Sequence, residues 1–459
     1  MPMERRGAHT VARSTETPST PSGGITATTG VERIASRASS HAEEPFTALM
    51  HHFTVENLRA CFKSLDGNKA IGVDRVTKAD YEENLEANLQ ALHCKLHQMS
   101  YRPQPVRQVE IPKADGGTRP LGISCTEDKI VQEMTRRILE AIYEPVFIDT
   151  SYGFRPKRSC HDALRQLNTE VMTKLVNWIA DIDLAQFFNT MPHQEILKVL
   201  DLRIKDKRFL RLISRMLKAG VQTPEGLLYD ELGSPQGSIS SPVIANIFLD
   251  HVLDKWFTEV VSDHCRGYCA IVRYADDAIL LFEREDDAHR FMRVLPRRLE
   301  KYGLRLNERK TQLLACGKRY ARYCFSIGQR PPTFDFLGLT HYWGHSRKGY
   351  VRLKRKTSKK RFRRALVELN DWLRQNRSRY RLPLLWKMVG KKLRGHYNYF
   401  GVTDNSQALS TFEQRAHALL FKWLNRRSQR RSFTWATFLR YRQKYPLPRP
   451  RRLVSLYPN

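Results

Sequence analysis

The chain has 459 residues, 41% of them hydrophobic, enough for about three domains of ordinary size. Lys and Arg number 78 against 47 Asp and Glu, a formal charge of +31, and an excess of that size points to a polyanionic partner, nucleic acid first. No apolar run approaches the roughly 18 residues that cross a bilayer, and no apolar signal core stands at the N-terminus, which argues against membrane and secreted proteins.

Residues 1–45 are rich in Ser, Thr, Gly and Ala with few large apolar side chains, the composition of a disordered tail. From Asn57 to Ser100 apolar residues recur at helical spacing (Leu85, Leu89, Leu92, Leu96), and Thr77-Lys78-Ala79-Asp80 has the pattern of a capping box. Val106 to Ile111 alternates and ends in the turn residues Pro112 to Gly117, so a hairpin into Thr118–Ile123 is expected. Helical periodicity resumes from Asp128 to Tyr143. Two short apolar runs follow, Val176 to Leu184 and Cys269 to Phe282, and each carries acids where a buried strand should be apolar.

In the first run the period of two places Asp181 and Asp183 on one face. In the second, Asp276 and Asp277 lie side by side between two apolar half-strands, the pattern of a hairpin bend. Gathered carboxylates repel unless a cation neutralises them, and hard oxygen ligands suit Mg²⁺. One acid from the first strand and one or both from the second could hold two ions about 4 Å apart, as in-line displacement at phosphorus requires. For Tyr274-Ala275-Asp276-Asp277 alone, a solvated surface turn is the competing reading.

The charge is uneven. Residues 341–459 hold 31 Lys and Arg against Glu368, Asp371, Asp404 and Glu413, a net of +27, which leaves +4 for residues 1–340. The run Lys354 to Arg364 could follow a phosphate backbone, and Trp372, Trp386, Tyr397, Tyr399 and Trp423 could pack helices or stack on bases, most of them as core. His396 reads as a packed residue. The eight cysteines are scattered, with no Cys-x-x-Cys pair, and reduced thiols are expected; Cys265 and Cys269 lack a second pair with which to ligate zinc.

Across residues 55–459 the sequence resembles the reverse transcriptase and maturase proteins encoded by bacterial group II introns. The resemblance rests on blocks in family order. Asn68 to Asp74 comes first, then Ile111-Pro112-Lys113 with Arg119 to Ile123, Tyr152 to Pro156, and Asp183 through Phe187-Phe188. Ser234-Pro235-Gln236-Gly237, the Tyr274 to Asp277 block, Gly303-Leu304 to Lys310-Thr311, and Phe336-Leu337-Gly338 complete it. Arg394 to Gly401 and Pro446 to Pro450 look like the family's thumb and maturase region.

The resemblance implies an α+β right-hand polymerase: a fingers and palm region over 46–345, built from an antiparallel sheet and helices, then a basic α-helical thumb and maturase domain over 346–459. It implies that Asp183, Asp276 and Asp277 are catalytic and bind the metals, with the Leu184 carbonyl as a further ligand and Asp181 structural. Lys113 and Arg119 would contact the triphosphate, Phe188 would be the steric gate against a 2′-hydroxyl, and Gln236 would sit beside nucleotide and template. Lys310 would stand near the pyrophosphate as a proton donor. Phe336, Leu337 and Gly338 would form the primer grip, and Lys354, Arg355 and Lys356 would hold RNA.

Implied cofactors are two Mg²⁺, with Mn²⁺ as a substitute. Implied partners are group II intron RNA, an RNA template with DNA primer, target DNA and dNTP, in a cytoplasmic, nucleoid-associated ribonucleoprotein. The expected function is RNA-templated DNA synthesis together with assistance to intron splicing. The alternatives are a domesticated relative in DNA repair or phage defence, or an RNA-binding splicing cofactor with an idle polymerase. Asn189 stands where the family usually has Asp, and Ser238-Ile239-Ser240 where Gly is common. No Cys/His nuclease set follows residue 340, so the expectation is the branch without a DNA endonuclease.

Overall fold

The computed structural model describes residues 30–41, 43–112, 117–229, 232–233, 237–427, 432–450 and 454–457. Among the described residues eleven strands form three sheets. The fingers sheet holds β1 (Val106–Pro112), β2 (Thr118–Ile123), β4 (Val221–Thr223) and β5 (Gly226–Leu228) in the order β2-β1-β4-β5. The palm sheet holds β3 (Trp178–Ile182), β6 (Cys269–Tyr274), β7 (Asp277–Phe282) and β8 (Gln312–Ala315) in the order β6-β7-β3-β8. A third sheet runs β11-β10-β9, from β9 (Phe334–Phe336), β10 (Leu339–His345) and β11 (Val351–Thr357). The palm sheet is antiparallel throughout, as expected, whereas β1 pairs β4 in parallel in the fingers.

Local chemistry sets most of these elements. The alternating run Val106 to Ile111 pairs with β2 in the expected hairpin, Ile111 opposite Arg119. Thr77 and Asp80 close the capping box reciprocally, each side chain accepting the other's backbone N–H. The helix Thr126–Tyr143 is buried over most of its length beneath the fingers.

The palm sheet separates two apolar cores, and period-two alternation assigns its side chains between them. Ala180, Ile182, Leu280 and Phe282 join the core shared with the fingers helices. Ile179, Ile279 and Leu281 join the core that continues through the third sheet into the helices Lys359–Asn376, Leu382–Phe400 and Ser406–Leu424. The fingers, palm and helical C-terminal region of an α+β polymerase are thus present.

Two expectations from the sequence are corrected. Residues 31–40, assigned to a disordered tail, form the helix Val31–Ser40, whose Ile34 and Ala38 are buried against the fingers core. The division at 345/346 falls inside the β10–β11 hairpin, because the rise in charge begins on a strand and not at a joint in the fold. If the first helix is an integral part of the fingers, Ile34→Ala should lower the unfolding free energy by about 2 kcal/mol, the lower end for a buried Ile. Urea denaturation of full-length protein checks this, and an unchanged midpoint would mean that the helix contributes no packing.

Candidate active site

Strand parity gathers the acids. Asp181, Asp183 and Asp277 share the parity of Ile179, Ile279 and Leu281, so they lie on the palm face that looks toward the third sheet and the C-terminal helices. Asp276 is in the two-residue bend between β6 and β7, where Tyr274 pairs with Asp277 and Ala275 takes the left-handed region with φ 58°. The bend is wedged from behind. Tyr152 N–H donates to the Arg273 carbonyl at 2.9 Å, and a Cβ on Gly153 would lie 2.2 Å from the Ala275 nitrogen, so only glycine fits there.

Beneath the bend Arg273 is fully enclosed. It donates to both oxygens of the equally enclosed Asp254, to Asn246 Oδ1 at 3.1 Å and to the Ala275 carbonyl at 2.8 Å, while Asn246 Nδ2 donates to the Gly153 carbonyl at 2.7 Å. The helix Ser241–Leu249 supplies Asn246, and its π-wound continuation Asp250–Asp254 supplies Asp254. Sequence reasoning missed this network. Its signal was a lone Arg inside the apolar run of β6.

Asp183 is tied from the other edge of the sheet. Asn307 Nδ2 donates to Oδ1 at 3.0 Å and Lys310 Nζ reaches Oδ2 at 2.9 Å, while Gln312 Nε2 donates to Asp181 at 3.1 Å. Asn307 N–H also donates to the Asp183 carbonyl and Ala185 N–H to the Arg305 carbonyl. Successive peptide groups in an extended strand point to opposite edges, so the Leu184 carbonyl faces the β7 side, where the bend lies.

Crowding marks the acids. Desolvation first, then the charges of Asp276, Asp183 and Asp181, push the Asp277 carboxyl up to about 7, against an opposing Lys310, although its cleft side stays open to solvent. Burial pushes Asp181 up to about 6. Among the described residues no three His, Cys, Asp or Glu side chains stand close enough to hold a metal ion as they are, and Lys310 supplies the neutralising charge at Asp183. The donor set is nevertheless all oxygen and mutually repelling, and it includes a carbonyl aimed at the bend. That chemistry fits a hard divalent cation.

Other expected site residues are placed as follows. Phe188 is half-buried, its ring edge-on to the buried Phe187 at 5.3 Å. Lys113 and Gln236 lie outside the described residues, as does the side chain of Arg119, whose backbone is in β2. Gly237 reaches the fingers, since a Cβ there would meet the Gly122 carbonyl of β2 at 2.5 Å.

Phe336 and Leu337 are buried, with Leu337 and Gly338 at positive φ in the turn between β9 and β10. This turn offers its backbone, and the Leu337 carbonyl accepts from Tyr399 Oη at 3.1 Å. Arg355 corrects the basic stripe. It is 0% exposed, donating to Asn168 and facing Asp404 and the Tyr457 ring, so only Lys354 and Lys356 of the expected trio are accessible. His396 stacks on Phe412 at 3.7 Å and is held neutral by burial, with a pKa of about 4.

The raised Asp277 has a measurable consequence in chelator-treated protein. Between the ordinary carboxylate range and about pH 7 the folded chain binds a proton that the unfolded chain has released, so stability falls as pH rises through that window. Asp277→Asn should therefore exceed wild type in melting temperature above about pH 7 and match it near pH 4. A variant less stable than wild type at high pH would contradict the crowding.

Comparison with known proteins agrees with this geometry. The reverse transcriptase (RNA-dependent DNA polymerase) family matches residues 111–341, from the fingers hairpin to β10. The chain is 46% identical over 159 residues to an uncharacterized 91 kDa protein in the cob intron of Schizosaccharomyces pombe, covering 35% of this chain and 19% of that one. It is 36% identical over 234 residues to the group II intron-encoded protein LtrA of Lactococcus lactis subsp. cremoris, covering 50% and 38%. Identity is 40% over 195 residues to a putative COX1/OXI3 intron 2 protein of Saccharomyces cerevisiae, covering 42% and 22%. The chain thus matches about a fifth to two fifths of the length of these relatives. With the family's model spanning half of its length, and the carboxylates at one end of the palm, the chain belongs to the reverse transcriptase family.

Proposed function

We propose that the protein copies RNA into DNA by nucleotidyl transfer at the palm and also binds a group II intron RNA to assist its splicing. The observation that carries the first part is the convergence of Asp183, Asp276, Asp277 and the Leu184 carbonyl at one end of a buried sheet. Asp183, Asp276 and Asp277, with the Leu184 carbonyl, would hold two Mg²⁺, or Mn²⁺ in their place; bound, the ions lower the pKa of a primer 3′-hydroxyl and offset triphosphate charge.

The chain's own groups do the rest. Arg273 and Asp254 hold the bend from behind so that its acids keep their place. Lys310, paired with Asp183, would follow the triphosphate and give a proton toward the departing pyrophosphate. Phe188, at the edge of the cleft, would close the space beneath the sugar. As the resemblance implies, Lys113 and Arg119 would contact the triphosphate and Gln236 would sit beside nucleotide and template, while the backbone of Leu337 and Gly338 would grip the primer. The splicing part draws on the basic C-terminal region and on relatives that are named as intron proteins.

Primer extension on an RNA template tests the division of labour. Asp276→Asn should abolish DNA synthesis and leave intron RNA binding at the wild-type level; loss of both in a folded variant would overturn the proposal. In the same assay Phe188→Ala should admit ribonucleotides, and unchanged discrimination would return Phe188 to the core.

The stripe on β11 gives a second test. Lys354→Gln with Lys356→Gln should flatten the dependence of log affinity on log salt by about 1.4 to 1.8, two phosphates at roughly 0.7 to 0.9 each. Adding Arg355→Gln should flatten it no further, and should cost stability by removing the buried guanidinium that bonds Asn168 and faces Asp404. A further drop in slope would place Arg355 on the surface.

A further inference from the structure

The aromatics that the sequence offered for base stacking are mostly enclosed. Trp386, Tyr397 and Trp423 are buried in the helical C-terminal region. Tyr399 is exposed but bonds the Leu337 carbonyl, and a further group of accessible aromatics stands outside that region. The helix Lys318–Ser326 lays Ala321 and Cys324 into the core and turns Arg319, Tyr320, Arg322 and Tyr323 outward. Two arginines and two tyrosines each sit one turn apart, with ring centroids of Tyr320 and Tyr323 at 6.4 Å and Tyr323 59% exposed. The tip of the β10–β11 hairpin adds Arg347, Lys348 and Tyr350, the last 69% exposed. Phe325 of the helix packs its ring on His345 of the hairpin at 4.6 Å, so the two form one surface.

This surface is strongly positive. Between Glu308 and Glu368 the only acid is Asp335. Among the described residues none of Arg319, Arg322, Arg347 or Lys348 is in an ion pair. Free guanidinium groups interleaved with open aromatic faces match a strand whose bases are unpaired, because phosphates meet the cations while bases stack on the rings. An acidic protein segment would satisfy the charges and leave the tyrosines unused.

The surface is not the catalytic cleft. Gln312 bonds Asp181 at the active end of β8, while Ala315 pairs with Trp178 at the other end, and the helix begins beyond it. The three rises from Gln312 to Ala315 carry the chain roughly 10 Å away from the acids before the helix starts.

We infer that the helix Lys318–Ser326 and the β10–β11 tip form a binding surface for a single-stranded RNA segment, separate from the template-primer cleft. It rests on the reading of the chain as an RNA-handling protein, but on none of the carboxylates.

The probe is a labelled single-stranded RNA of about 20 nucleotides carrying 4-thiouridine, bound to full-length protein and cross-linked, with attachment sites mapped by mass spectrometry. Cross-links are expected at Tyr320, Tyr323 or Tyr350. Tyr320→Ala with Tyr323→Ala should weaken binding about tenfold, the loss of one to two stacked bases. Arg319→Gln with Arg322→Gln should flatten the salt slope by about 1.4, two phosphates of a single strand. Both variants change only exposed side chains and should extend a short primer on a short template at the wild-type rate.

Absent cross-links, or wild-type affinity in the tyrosine variant, would overturn the inference, as an acidic protein partner would require. Duplex RNA competing as well as single-stranded RNA would overturn the stacking. Primer extension lost in step with binding would place the strand in the cleft instead. A wild-type protein that binds at this surface yet extends no primer would leave the inference standing and refute the polymerase.

Discussion

Electrostatic repulsion among carboxylates is the constraint around which the palm is built. Strand parity brings Asp181, Asp183 and Asp277 to one face, with Asp276 in the adjoining bend, and at Asp277 these like charges add to desolvation in raising the proton affinity. The fold tolerates this because each acid is restrained separately. Asn307 and Lys310 hold Asp183, Gln312 holds Asp181, and the bend bearing Asp276 and Asp277 rests on the enclosed Arg273–Asp254 pair. That pair is charge-balanced and saturated with hydrogen bonds, which is the condition under which a buried ion pair is tolerated, and losing one partner alone costs several kcal/mol. Repulsion stored in front of a rigid support is the state that a cation relieves.

Close backbone approach links this centre to the rest of the molecule. Gly153 lets the segment after the fingers press directly on the Ala275 nitrogen, and Gly237 lets the turn before the helix Ser241–Leu249 touch Gly122 of the fingers hairpin. Motif glycines far apart in sequence therefore act as contact points between fingers and palm. On the opposite side Tyr399 reaches from the C-terminal helices to the Leu337 carbonyl, so the turn that would grip a primer is held by the region that would hold RNA.

The palm was legible because its signals are local. Short apolar runs broken by acids marked the strands β3, β6 and β7 and the centre they carry, whereas β8 had no such signal; the fingers hairpin carried its own alternation and turn residues and the Thr77 helix its cap. The first helix was missed because composition was weighed ahead of periodicity: Val31, Ile34, Ala35 and Ala38 stand at i, i+3, i+4 and i+7, a short stripe hidden in a Ser-rich and Arg-rich background. Arg355 was misread because charge runs were counted without parity. Val351 and Leu353 point inward on β11, and the same period sends Arg355 inward between them and Thr357. Arg273 hid for the same reason. An enclosed arginine looks like a solvated one until its partner is found, and Asp254 is distant in sequence. The helix Lys318–Ser326 was passed over because whole-segment charge divided the chain at residue 341 and left this basic face in the near-neutral part.

Divalent-cation binding by the isolated protein tests the central claim most directly. Titration with Mn²⁺ followed by electron paramagnetic resonance should show ions bound by wild type and none bound at the palm by an Asp183→Asn, Asp277→Asn double variant, while Lys310→Ala should bind more tightly because the competing ammonium is gone. Equal binding by wild type and the double variant, or weaker binding on loss of Lys310, would contradict a carboxylate centre held ready for cations.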